Sequence, residues 1–195
     1  WAGSSCLLLA LLAQLTNMWT SKLGNQYLKT EVEAQHQANM LVLRKLRQRP
    51  DNRRCADCGT TGAEANAWAI VNFGAFVCTA CASAHRVRAD VSKVKGLSGT
   101  YLWGADEVSA MSGGNEHVDR SLMQNCASAS RLACGASHQE RVVFVERKYC
   151  QQLWKGDQTE LRSPVQPAVS VEAVSIAAAK PVAVGCTTDD WFEGW

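Results

Sequence analysis

Apolar residues at Leu28, Val32, Met40, Leu43 and Leu46 fall at helical spacing, with good helix formers between them, and predict a helix over 28–47. Pro50-Asp51-Asn52 stops it, because proline lacks the amide proton that a continuing helix needs. The run Trp68-Ala69-Ile70-Val71-Asn72-Phe73-Gly74-Ala75-Phe76-Val77 is rich in β-branched and aromatic residues and predicts two short strands with a turn at 72–74. A helix opens near Thr79, and Val91, Val94 and Leu97 mark a strand or irregular segment past it. Residues 106–111 read as a helix ended by Ser112-Gly113-Gly114, another starts near Asn115, and 139–154 forms the last. In that last helix Val142, Val143, Val145, Tyr149, Leu153 and Trp154 are the expected apolar contacts.

The two ends break this periodicity. Leu7-Leu8-Leu9-Ala10-Leu11-Leu12-Ala13 has the apolarity of a signal-peptide core, yet no basic residue precedes it and the stretch is too short to span a bilayer. The chain begins at Trp1, and Met40 would make a sensible start just ahead of the next module. Beyond residue 155 the composition shifts to Ala, Val, Ser and Pro, which reads as a linker or disordered tail. The expected organisation is therefore 1–39, a leader plus the start of a helix; 40–155, one domain; and 156–195, a tail ending Asp189-Asp190-Trp191-Phe192-Glu193-Gly194-Trp195.

A length of 195 residues allows one domain with a real core, and a net charge of +2 demands neither nucleic acid nor an anionic membrane as partner. The charge is uneven, however. Arg44, Lys45, Arg47, Arg49, Arg53 and Arg54 form a basic run, and Arg86, Arg88, Lys93 and Lys95 a second; each is either a solvated face or a docking surface for something acidic.

Cys55-Ala56-Asp57-Cys58 and Cys78-Thr79-Ala80-Cys81 change the picture most. Two residues between partners let a short turn aim both thiolates at one ion, and two such pairs close a four-sulfur shell around a structural Zn²⁺. Nine cysteines in all, an odd count, fit a reducing compartment better than a disulfide framework. Arg53 and Arg54, next to the first pair, are expected to favour thiolate charge, and His85 to be a satisfied structural histidine. The nineteen-residue interval is not far from a GATA-type nucleic-acid-binding finger. That reading needs a basic recognition helix, whereas Thr79-Ala80-Cys81-Ala82-Ser83-Ala84 is small and neutral, so no nucleic acid is expected.

Several independent motifs then carry a resemblance. Cys55-Ala56-Asp57-Cys58-Gly59, Trp68-Ala69 with Asn72, Gly74-Ala75-Phe76-Val77-Cys78, and Cys81 with His85-Arg86 resemble the Arf GTPase-activating protein (ArfGAP) domain. The likeness continues through Val91-Ser92-Lys93-Val94-Lys95-Gly96-Leu97, Trp103, Met111-Ser112-Gly113-Gly114-Asn115 and Phe144-Val145-Glu146-Arg147-Lys148-Tyr149, over roughly 40–155.

The resemblance implies an α+β fold, a small zinc-bound three-stranded antiparallel sheet surrounded by about five helices. It implies that Cys55, Cys58, Cys78 and Cys81 hold zinc, that Arg86 is an arginine finger, and that Trp68 lies near the surface meeting a GTP-loaded Arf-family GTPase. The protein would be a regulator supplying Arg86 in trans and not an enzyme by itself. It would act in vesicle traffic, cytoplasmic and associated with Golgi or other vesicle-forming membranes, with peripheral membrane contact. Trp191 and Trp195 resemble the acidic tryptophan motifs by which some Golgi members contact the COPI coat. Two departures stand out: the interval between the cysteine pairs is longer than usual, and where the family usually reads Leu-Gly-x-His before its Val-Ser-Lys run, Val87-Arg88-Ala89-Asp90 leaves the stretch after Arg86 one residue short. An ArfGAP-like scaffold that binds without activating is the competing expectation.

Overall fold

The computed structural model describes residues 17–156. Expectations for the leader at 7–13 and for Trp191 and Trp195 lie outside the described residues. Two strands, β1 (Met18–Thr20) and β2 (Gln26–Leu28), form an antiparallel hairpin that leads directly into α1 (Lys29–Arg47). Strands β3 (Trp68–Ile70), β4 (Ala75–Val77) and β5 (Val94–Gly96) make a three-stranded antiparallel sheet in the order β4-β3-β5. Around it stand α2 (Thr79–Arg86), α3 (Ala105–Ala110), α4 (Gly114–Leu122) and α5 (His138–Val145). This is the expected α+β architecture, with five α-helices among the described residues. No helix among them is long and apolar enough to cross a membrane.

Strand alternation divides the core in two. Successive side chains point to opposite faces, so Ile70, Ala75 and Val77 face one way, while Ala69 and Phe76 face the other. The first face packs with the four paired cysteines, Val118 and Leu122 of α4, Val145 of α5, and Tyr149. The second packs with Met40, Leu43 and Leu46 of α1, plus Leu97, Trp103 and Met111. The turn between β3 and β4 requires glycine: Gly74 has φ 72°, and a Cβ there would stand 2.6 Å from the carbonyl oxygen of Ala110.

Two buried asparagines tie the layers together. The Asn52 side-chain amide donates to Leu46 O (2.7 Å), and its oxygen accepts from Asn115 N (2.8 Å). Asn115 in turn accepts from Phe76 N (2.7 Å) and donates to Arg54 O (2.7 Å). The end of α1, the approach to the first cysteine pair, β4 and the start of α4 are thereby fixed to one another.

The hairpin was not foreseen in the sequence. It caps a buried ion pair between Lys95 of β5 and Glu107 of α3, in which Glu107 also accepts from Lys22 N (2.8 Å) and Gly104 N (2.9 Å). The Lys95 ammonium lies 4.9 Å from the Trp19 ring and 4.8 Å from the Trp103 ring, within cation–π range of both. The last helix also differs from expectation. After α5 the chain widens into a π-helical turn (Glu146–Cys150), and the amide of Gln151 donates to Glu146 O. Gln152, with φ 49°, then reverses the chain and returns Trp154 onto Phe144, ring centroids 5.4 Å apart. Val143 and Leu153, expected as apolar contacts, face solvent instead.

Candidate functional site

The first cysteine pair sits in a tight turn closed by Gly59 N to Cys55 O (3.0 Å) and Cys55 N to Thr60 O (2.9 Å). Ala56 N donates to Phe76 O (2.9 Å), which fixes this turn to β4. The second pair begins α2: Cys78 is its N-cap, and its sulfur accepts from Cys81 N. Cys78 N also donates to Cys55 Sγ at 3.3 Å. All four sulfurs are buried and lie within 4.8 Å of one another. In a tetrahedral four-thiolate shell with metal–sulfur bonds of about 2.3 Å, sulfurs stand about 3.8 Å apart. Cys58 and Cys78 are 3.8 Å apart. The four cysteines form a cage that can hold one metal ion.

Helix α5 and its π turn close this cage from behind. Arg141, Phe144, Val145, Lys148 and Tyr149 recur at helical spacing and are all buried, so one inward stripe carries two cations. Arg141 donates to Cys81 Sγ (2.9 Å), to Ala136 O (3.0 Å) and to Cys134 O. Burial opposes its charge, but the Cys58 and Cys81 sulfurs outweigh that and push its pKa above the ordinary value. Arg53 and Arg54, expected to support the thiolates, are exposed; Arg53 donates to Gln48 O (3.1 Å) instead. Arg141→Met should weaken metal affinity about 10- to 100-fold, as expected for an outer-shell partner, in a chelator competition titration.

Lys148 donates to Ala56 O (2.8 Å) and to Asp57 Oδ1 (3.0 Å), inside the first cysteine turn. Asp57 also accepts from Tyr149 OH (2.8 Å), and its other oxygen meets His85 Nε2 (3.0 Å). Burial disfavours the carboxylate, yet the Lys148 charge and the His85 hydrogen bond reverse the balance and hold its pKa below the usual range. His85 Nδ1 meets Ser92 Oγ at 2.8 Å, so the ring is held at both nitrogens, as expected of a structural histidine. Lys148→Met would leave Asp57 buried without its cation. Losing one partner of a buried pair costs about 3–5 kcal/mol, to be seen as a lower midpoint in urea unfolding.

Arg86 ends α2, eight residues after the capping Cys78, and is exposed. Its guanidinium carbon lies 4.3 Å from the centroid of the Trp68 ring. Trp68 in turn meets Tyr101 edge-on, centroids 6.2 Å apart. Gly96 pairs with Trp68 across β3 and β5, and the Tyr101 ring occupies the space that a Cβ at Gly96 would need. The short segment after Arg86 is pinned. Arg88 is ion-paired to Asp90 (3.0 Å) and to Glu146 of the π turn, and Lys93 Nζ donates to Ala89 O (2.9 Å).

A metal cage that begins a short helix, with an arginine laid on a tryptophan at its far end, can now be set against known proteins. The family model described as "Putative GTPase activating protein for Arf" matches residues 40–158. The chain belongs to the ArfGAP family. Among its relatives, "Probable ADP-ribosylation factor GTPase-activating protein AGD15" of Arabidopsis thaliana is 30% identical over 151 residues, covering 74% of this chain and 56% of the relative. "ADP-ribosylation factor GTPase-activating protein AGD12" of the same plant is 36% identical over 113 residues, covering 55% and 32%. The chain therefore spans about half or less of the length of these curated relatives. The solved "ArfGap domain of HIV-1 Rev binding protein" superposes with a TM-score of 0.57 at 23% identity, over 66% of this chain and 95% of that one, which shows the shared fold.

Within the ArfGAP domain, the four cysteines converge in one cage, and Trp68 and Arg86 meet at the other end of α2. The sequence assigns no role to Arg141, Lys148, Asp57 or Tyr101, although Asp57 and Lys148 stand in the motifs that carry the resemblance. For Arg141 and Lys148 a signal existed, since both occupy inward positions of an otherwise apolar helical stripe.

Proposed function

We propose that this chain stimulates GTP hydrolysis on a GTP-loaded Arf-family GTPase by supplying Arg86 in trans, with Zn²⁺ held by Cys55, Cys58, Cys78 and Cys81. The observation that carries this reading is the position of Arg86: exposed, yet held on the Trp68 ring at the end of a helix that starts in the metal cage. Bound zinc supplies structure, because four thiolates leave no position open for a reactant. Hydrolysis builds negative charge on the transferred phosphoryl group, and an inserted guanidinium stabilises that charge where water is excluded. Stacking on Trp68 restricts Arg86 before any partner arrives, which reduces the entropy lost on docking. Val87 and Tyr101 are exposed hydrophobic residues beside the stack and suit the rim of a protein interface.

On this reading the protein regulates vesicle traffic, acting from the cytosolic face of the Golgi or a related membrane, and is not an enzyme by itself. Contact with the COPI coat through Trp191 and Trp195 belongs to the same reading. The test is single-turnover GTP hydrolysis by a panel of GTP-loaded Arf proteins with the zinc-loaded chain added. Acceleration on at least one is expected, and none across the panel overturns the proposal.

One observation favours a second reading. The segment after Arg86 is pinned through Arg88 to Asp90 and Glu146. A scaffold that binds the GTPase without activating it would show saturable binding and an unchanged hydrolysis rate in the same experiment.

A further inference from the structure

The basic run at 44–54 has no part in the site just described. Arg44, Arg47 and Arg53 line one cleft of about 320 Å³, together with Gly62, Ala63 and Asn66, and no carboxylate is among its lining residues. Among the described residues, none of Arg44, Lys45, Arg47, Arg49, Arg53 and Arg54 forms an ion pair. Arg47 is half-buried, and its Nε and Nη2 both donate to the neutral oxygen of Asn66 (3.3 and 2.9 Å). Burial lowers its pKa from the ordinary value, with the charge of Glu64 pulling the other way. The Glu64 carboxylate itself accepts from Thr79 Oγ1 (3.2 Å). The cleft thus concentrates positive charge around a partly desolvated guanidinium, a setting that an anion relieves.

The neighbouring surface indicates what carries the anion. Leu41, Arg44 and Lys45 are three and four residues apart on α1 and share its outward face. Leu41 is 53% exposed. An exposed aliphatic side chain one turn from a cationic cluster suits the boundary between headgroups and acyl chains. A soluble phosphate would leave Leu41 without a use. Single-stranded nucleic acid would call for aromatic stacking platforms, and α1 carries no Phe, Tyr or Trp, while its His36 lies two turns from Arg44 and meets Gly99 O.

We propose that the cleft formed by Arg44, Arg47 and Arg53 binds the phosphorylated headgroup of an anionic membrane lipid, with Leu41 dipping into the interface beside it. This surface acts independently of Arg86 and of GTPase stimulation.

The test is flotation of the full zinc-loaded chain with vesicles of phosphatidylcholine alone or containing a phosphoinositide. Binding to the phosphoinositide vesicles only is expected, falling at high ionic strength. Each basic side chain near such a surface is worth about fivefold, so the double variant R44A/R53A should bind about 25-fold more weakly. Its circular dichroism melt should stay within a few degrees of the wild type, because both side chains are exposed, the Arg53 bond to Gln48 O is a solvent-facing one, and Arg47 keeps its Asn66 contact. Leu41→Ser should weaken binding as well. Three results each overturn the proposal: no flotation of the wild type, equal flotation with neutral vesicles, or undiminished flotation of R44A/R53A. Binding of soluble inositol phosphate or of duplex nucleic acid without flotation also overturns it and identifies the cleft's ligand as that species. None of these outcomes depends on whether the chain accelerates GTP hydrolysis.

Discussion

Replacing Arg86 with lysine should lower stimulated GTP hydrolysis by about 10³-fold or more, with metal content and thermal stability unchanged. The two effects separate because of where Arg86 sits. It is exposed, and its contact is the face of Trp68, so removing it opens no cavity in the core. Lysine keeps the charge but loses the planar fork, and with it both the flat stack on the indole and the paired donation to phosphoryl oxygens. Single-turnover hydrolysis at saturating protein isolates the chemical step. An undiminished rate in Arg86→Lys would sink the assignment of the finger, while a loss of zinc or a lowered melting temperature would mean that the residue is structural.

Removing the metal should unfold the domain, not merely silence it. Cys55, Cys58, Cys78 and Cys81 belong to the core cluster that contains Ile70, Val77, Val118, Val145 and Tyr149. Structural zinc binding in small finger peptides is worth about 10–16 kcal/mol, against a total stability of about 5–15 kcal/mol for an ordinary domain. Metal loss has a second cost here. With the thiolates reprotonated, Arg141 would keep its buried positive charge 5% exposed, without the negative sulfurs that balance it. Treatment with a strong chelator, or the substitution Cys58→Ser, should abolish the cooperative melt seen by circular dichroism. A metal-free protein that still melts cooperatively within a few degrees of the loaded form would refute this.

The parts of the fold that were legible in the sequence are those set by short-range rules. Two residues between cysteines define each turn of the cage, the apolar run at 68–77 yields β3 and β4, and Gly74 marks the turn between them because a side chain would collide with Ala110. What escaped depends on partners distant in the chain. A scan that counts only apolar residues selects Val143 and Leu153, which are exposed, and passes over Arg141 and Lys148, which are buried. Those two cations face inward because Cys81 and Asp57, 60 and 91 residues away, receive them. Asp57 reads locally as a turn former, and only the assembled fold brings Lys148, Tyr149 and His85 to it. Tyr101 is legible only once β5 places Gly96 beside Trp68.

The β1–β2 hairpin bears on how this domain can be cut and joined. The family match begins at residue 40, inside α1, whereas the folded unit already includes Lys22, whose amide bonds Glu107, and Trp19, which lies over Lys95. Ancestry and cooperativity therefore draw different borders. A recombinant fragment or natural fusion joined at the inherited border would divide α1, discard the buried Val32, and open the Lys95–Glu107 pair to water. A seam that keeps this domain whole falls ahead of β1.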